Sequence, residues 1–281
     1  MAEKLLRQIP LPSGDSIPAL GQGSGGLAED RHPADQEIAA LRLGLELGLT
    51  LIDTAETYAG GEAEKLVGRA IADRRDEAFL VGKVSPSNAT REGAVAACER
   101  SLERLGTDRF DLYLLQARGE HRLEETIAAF EDLRERELIR HWGVGCFSLA
   151  DMADLAALDG GAELDAVQEV YSLARRGIEW HVLPLCEQTG LPLLASSPLE
   201  RGRLVADGVL RGIAVRHRVT SAQVALSWVL GHAGVHAHPR AATPAHVERN
   251  LAALDLELGV DDIVELDAAF EPPPEVPIQR R

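Results

Sequence analysis

At 281 residues, 45% of them apolar, the chain can bury one large core, and roughly 250 residues is a common size for a closed α/β barrel. A formal charge of −16 with no offsetting basic stripe argues against nucleic acid as a partner. No apolar run approaches the roughly 20 residues needed to cross a bilayer, so no membrane association is expected.

The first segment, LLRQIPLPSGDSIPAL, reads as a small β-hairpin with its turn at Ser13, Gly14 and Asp15, placed to close the lower end of a barrel. Short β-rich runs then alternate with longer amphipathic ones, the pattern of βα units around a parallel sheet. Eight strands are expected, at residues 20–23, 51–54, 79–84, 112–116, 143–146, 166–171, 192–196 and 235–238. Between them, EGAVAACERSLERLG and LEETIAAFEDLRERELI place apolar residues at helical spacing, with Gly106 suited to a helix C-terminus. The proline-rich EPPPEVPIQRR, residues 271–281, cannot continue a helix and reads as a tail folded over the same barrel. No repeat or linker divides the chain, so one domain spanning 1–281 is expected. The fold class is α/β, a (β/α)8 TIM barrel with an N-terminal β-hairpin.

MAEKLLRQIP has no apolar stretch followed by a small-residue cleavage site, and Cys98, Cys146 and Cys186 have neither metal nor disulfide spacing. A cytoplasmic, reducing setting is therefore expected. In barrels of this kind the reacting groups sit on loops after the C-terminal ends of the strands. Asp53, Tyr58, Lys83, Gln116, Cys146 and Ser196 all fall at such ends. Lysine occurs only at positions 4, 65 and 83, which favours a specific role for Lys83. A carbonyl accepting hydride builds negative charge on oxygen and needs a proton donor. Tyr58 suits that role if the Lys83 ammonium lowers its pKa, and Asp53 would keep Lys83 charged. The competing interpretation is a structural Asp53–Lys83 ion pair beside a merely packed tyrosine.

The segments LIDTAETYAGGEAEKLVGRAI, FLVGKV, SPSNATREG, LEETIAAFE, SPLERGRL and HVERNLAALDLEL resemble the aldo-keto reductase superfamily, in particular its bacterial short-chain members, from about Ile17 to Phe270. The resemblance implies that Asp53, Tyr58 and Lys83 occupy three of four catalytic positions. The fourth, a histidine in the family, is Gln116, an amide that can hydrogen-bond a carbonyl oxygen but cannot titrate. Family members bind a nicotinamide dinucleotide, usually the phosphorylated form, across the barrel mouth, so the GQGSGG run near Gly21 reads as a flexible loop and not a Rossmann turn.

Several of the family's nicotinamide contacts are replaced here. A Ser-Asn pair is Gly145 and Cys146, an Asn-Gln pair is Val167 and Gln168, the stacking aromatic is Ser196, and the residue after the catalytic position is Ala117. Loss of the stacked ring removes about 1 kcal/mol of aromatic contact. At the phosphate end Arg240, in HPR where the family reads IPK, suits a 2′-phosphate, and Asn250 matches an adenine-contacting asparagine. Ala241 and Arg249 depart from the pattern. The expectation is no cofactor, or weakly bound NADP(H).

Cys146 is a candidate nucleophile but shows no base beside it, so a small pocket residue is the simpler role. Glu169 either adds a carboxylate to the substrate pocket with Cys146 and Ser196 or is turned outward by strand alternation. His236 and His238 share a strand face, but no third ligand accompanies them and no metal is expected. The leading expectation is an aldo-keto-reductase-like enzyme using Asp53, Tyr58, Lys83 and Gln116 for acid–base chemistry on a small carbonyl or hydroxyl metabolite: elimination, isomerisation or cyclisation, in a biosynthetic setting. The alternatives are an NADPH-dependent aldehyde or ketone reductase and a noncatalytic binding subunit.

Overall fold

The computed structural model describes residues 6–275. Strands β1 (Gln8–Pro10) and β2 (Ser16–Pro18) form an antiparallel hairpin with Ile9 opposite Ile17, both buried. Its turn closes through the Leu11 N–H to the Asp15 carbonyl at 2.8 Å, with Gly14 at φ 99°. That left-handed conformation is one glycine adopts without a Cβ penalty.

The chain then alternates strand and helix: β3 (Gln22–Gly23), α1 (Ala34–Glu46), β4 (Leu51–Asp53), α2 (Glu62–Ile71), β5 (Phe79–Val84), α3 (Arg91–Leu105), β6 (Phe110–Leu115) and α4 (Leu123–Glu135). It continues through β7 (Ile139–Gly145), α5 (Leu149–Ala156), β8 (Ala166–Val170), α6 (Val182–Thr189), β9 (Leu193–Ser196), α7 (Gly208–His217), α8 (Ser221–Leu230), β10 (Val235–Ala237), α9 (Pro244–Leu251) and α10 (Val260–Ala269). The eight strands from β3 to β10 are parallel, each bonded to its neighbour in chain order. The ring closes where Gly21 donates to the Ala237 carbonyl and Ala237 donates to the Ala19 carbonyl, each at 2.9 Å. This is a (β/α)8 barrel with an N-terminal hairpin.

Local sequence explains the helix limits. Thr90 caps α3 by accepting the Gly93 N–H at 3.0 Å, and Gly106 ends it at φ 64°. Strands β6 and β7 begin two and four residues earlier than alternation suggests, with the polar Asp111, Arg140 and His141 inside their first residues. Asp111 is buried there to accept the Leu80 N–H at 2.8 Å and pair with Arg75 at 2.8 Å. The hairpin is fastened at the lower end: Arg7 reaches the Leu230 carbonyl at 2.9 Å, and His141 at the start of β7 meets Asp15 at 2.9 Å. Of the tail, Pro273 lies within the described residues and accepts the Trp180 indole N–H at 2.8 Å; residues 276–281 lie outside them. Among the described residues no helix is long and apolar enough to cross a membrane.

Candidate active site

Asp53 ends β4 and Lys83 lies near the end of β5, so adjacent parallel strands carry both side chains to the same mouth. Lys83 Nζ donates to both Asp53 oxygens at 2.6 Å and to the Thr54 carbonyl at 2.8 Å, and a side-chain hydrogen bond also links it to Tyr58. Gln168, inward-facing on β8, donates Nε2–H to Asp53 Oδ2 at 2.8 Å, and His238 Nε2 stands 3.7 Å from Oδ1. Burial alone would push the Asp53 carboxyl up, but the Lys83 ammonium and then His238 hold it below its usual value. Burial likewise opposes the charge on Lys83, and Asp53 overrides it, so the pKa of the ammonium is raised. The pair is ionised and positioned.

Tyr58 follows β4 on a loop whose next three residues, Ala59, Gly60 and Gly61, have φ of 48°, 62° and 94°. Lys83 Nζ lies 5.0 Å from the centre of its ring, and a Cβ on Gly25 would stand 3.5 Å from the phenol Cζ, so the glycine-rich loop packs directly on the tyrosine. The expected fall in the Tyr58 pKa does not occur. Burial raises it by more than Lys83 lowers it, and Asp53 adds to the rise. Tyr58 therefore keeps its proton through the neutral range, which suits a proton donor.

Gln116 extends from the end of β6, its backbone N–H bonded to the Val84 carbonyl at 3.0 Å. Thr57 Oγ1 donates to Gln116 Oε1 at 3.3 Å, so the amide oxygen is engaged by the tyrosine loop. Cys146 is exposed at φ 51°, with its N–H on the Gln168 carbonyl at 2.9 Å. Although the residue as a whole is exposed, partial desolvation of its thiol by the surrounding mouth, and then the nearby Glu169, raise its pKa, the opposite of what a nucleophile needs. Ser196 is half-buried and donates to the Glu169 carbonyl at 3.2 Å.

Glu169 alternates with Gln168 along β8, and its carboxylate accepts the Phe147 N–H at 2.8 Å, away from Asp53 and Lys83. Its assignment to the substrate pocket is corrected accordingly: the pleat that turns Gln168 inward turns its neighbour to the other face. Burial there pushes the Glu169 carboxyl up to about 7. His236 and His238 stack inside the barrel with ring centres 5.5 Å apart, and His236 Nδ1 meets the Pro18 carbonyl at 2.5 Å. Among the described residues no group of three or more metal-ligating side chains comes together.

Of the dinucleotide candidates, Gln168 is inside the barrel on β8, Arg240 follows β10 and Asn250 lies on α9. Arg240 is exposed, with Nη1 on the Gly26 carbonyl at 2.9 Å; Asn250 is half-buried on α9 beside the exposed Arg249. The sequence gives no sign of a role for Glu56 or Thr57, and offers His238 only as half of a possible metal pair. The first two flank Tyr58 in the motif, but nothing in the chain says which loops their side chains reach. The pairing of His238 with Asp53 depends on ring closure.

The aldo/keto reductase family model matches residues 19–271. Methylglyoxal reductase YeaE of Escherichia coli is 48% identical over 267 residues, covering 93% of this chain and 94% of that protein. Glyoxal reductase of Bacillus subtilis is 30% identical over 95% of this chain and 94% of its own length. Two solved structures from Klebsiella pneumoniae superpose with a TM-score of 0.92. The first is an aldo-keto reductase in complex with NADPH, 41% identical, covering 96% of this chain and 97% of its own. The second is an aldo/keto reductase in complex with NADP and acetate, 40% identical, covering 99% and 100%. These correct the expectation of an absent or weakly bound cofactor, and with it the expectation of non-redox chemistry. Losing a few contacts of about 1 kcal/mol around one ring is small against the roughly 8 kcal/mol of a micromolar ligand held along its whole length.

Proposed function

The chain belongs to the aldo/keto reductase family, and we propose that it is an NADPH-dependent reductase of small aldehydes, with 2-oxoaldehydes such as methylglyoxal as its substrate class. The observation that carries this reading is the buried Lys83–Asp53 pair set 5.0 Å from the Tyr58 ring, in a chain 48% identical to a methylglyoxal reductase. The residues present suit the dinucleotide. Arg240 and Arg249 offer exposed guanidinium groups for its phosphates, Asn250 offers an amide at the same end, and Gln168 keeps its amide oxygen and one N–H for the carboxamide.

When bound, NADPH supplies the hydride for the carbonyl carbon. Tyr58 donates its proton as charge develops on the carbonyl oxygen, and Lys83 stabilises the phenolate that remains. Asp53 keeps that ammonium fixed. Gln116 contributes an amide N–H to the same oxygen, in a direction set by Thr57. A direct test mixes the purified protein with NADPH and methylglyoxal and follows loss of reduced dinucleotide. Turnover that requires both supports the reading. Tight NADPH binding without oxidation by methylglyoxal or other small aldehydes would sink it.

A further inference from the structure

The two residues immediately before Tyr58 both reach out of the tyrosine's own loop. Thr57 bonds Gln116 at the end of β6, and Glu56 crosses to the segment that follows β5. Glu56 Oε1 accepts the Ser85 N–H at 2.7 Å, and the Asn88 amide donates to Oε1 at 3.0 Å and to Oε2 at 3.1 Å. The Glu56 side chain is 10% exposed, and Arg100 lies 4.0 Å from Oε2. Ser85 stands two residues after Lys83, as Glu56 stands two before Tyr58. The bond therefore joins the chain segments of the proton donor and the ammonium at equal offsets.

The tyrosine loop needs such a fastening. Ala59 at φ 48° occupies a conformation that is unfavourable for a residue with a Cβ, and the following two glycines are the residues most free to leave it. Tyr58 is held within its own loop through its N–H to the Ala55 carbonyl at 3.1 Å, which fixes the start of a turn but not its distance from β5. A carboxylate receiving three N–H bonds is a strong anchor, because hydrogen bonds to a charged acceptor exceed neutral ones.

We propose that Glu56 is a positioning residue of the reductase site, its carboxylate clamping the Tyr58 loop to the loop after Lys83 and so setting the spacing of donor and ammonium. The inference rests on the reductase reading for its kinetic consequences, but the clamp itself can be observed without turnover. The chain has three tyrosines, and Tyr58→Phe identifies the Tyr58 ring resonances in a ring-labelled sample.

The experiment compares Glu56→Ala and Glu56→Gln with the parent. Glu56→Ala moves the Tyr58 resonances and lowers kcat about 10²-fold, the effect of a displacement near 1 Å, while KM for NADPH stays unchanged. In Glu56→Gln the new amide oxygen still accepts the Ser85 N–H, and Asn88 turns its own oxygen to the new NH2 group. The resonances return, and kcat recovers to within about tenfold of the parent, since the links to Ser85 and Asn88 persist as neutral hydrogen bonds in place of charge-assisted ones. Unmoved Tyr58 resonances and unchanged kcat in Glu56→Ala overturn the proposal, as does a Glu56→Gln protein as impaired as the alanine variant. Should the parent reduce no carbonyl, the reductase reading falls, and the Tyr58 resonances alone decide the clamp.

Discussion

Each end of the barrel sets a basic side chain against carboxylate, and the two differ in how much water reaches them. At the lower end His141 lies between Asp15 at 2.9 Å and Asp165 at 3.3 Å, and Asp15 is 55% exposed. At the mouth Lys83 and Asp53 are each only 2% exposed, with Lys83 also on the Thr54 carbonyl and Gln168 added to the carboxylate. Exposed charges are screened and contribute little, whereas a buried pair is costly to divide because the remaining ion has no water to turn to. The lower cluster is thus an attachment for the hairpin, and the upper one a rigid electrostatic floor. Such a floor offers preorganised charge where a reaction builds it.

The largest test of this contrast is Lys83→Met. Asp53 would be left buried with only Gln168 and the more distant His238, and breaking a buried pair in this way costs about 3–5 kcal/mol. The expected outcome is a urea midpoint lowered accordingly and no measurable aldehyde reduction. Adding Asp53→Leu to that variant restores part of the stability and none of the activity, since the unpaired charge is gone but the ammonium is still missing. A loss below about 1 kcal/mol in the single variant would place the mouth pair in the same class as surface pairs and break the comparison. Next in size, Tyr58→Phe removes only the proton donor: kcat falls by about 10²–10⁴-fold while the unfolding midpoint barely moves. A variant that retained parental kcat would remove Tyr58 from the proton-transfer role.

Much of the architecture was legible because barrel strands and helices carry different periods, and because DTAETY and FLVGKV sit at the ends of neighbouring strands. The starts of β6 and β7 were not, since Asp111, Arg140 and His141 look like loop residues until their partners across the barrel are known. The direction of the Tyr58 shift was misjudged for a related reason. Its neighbour Lys83 can be inferred from a motif, but the burial that outweighs Lys83 is a property of the assembled mouth. Glu169 shows the limit of alternation: the pleat gives two faces, and only the inward bond of Gln168 to Asp53 says which face is which. The dinucleotide was underrated because altered residues around the nicotinamide are conspicuous in a sequence, while the summed contacts of an extended ligand are not.

The smallest effect belongs to the lower end, and its pH dependence has a definite sign. Burial opposes protonation of His141, but Asp165 and Asp15 override it, so the folded-state pKa is raised above the ordinary value. A raised histidine pKa means that the folded chain binds the proton more tightly than the unfolded one. The contribution is fully present below the unfolded value of about 6.5 and is lost as pH rises through the higher folded value. Because Asp15 is open to solvent, screening keeps it under about 1 kcal/mol. His141→Leu should remove that part of the pH dependence from the unfolding free energy and leave kcat for aldehyde reduction unchanged, since the substitution lies at the opposite end of the barrel from Tyr58. Urea titrations of parent and variant across the window check the first expectation, and an aldehyde assay at one pH checks the second. A variant that loses stability equally on both sides of the window would show that His141 acts there by packing against Phe79, whose ring it stacks on at 6.3 Å, and not by charge.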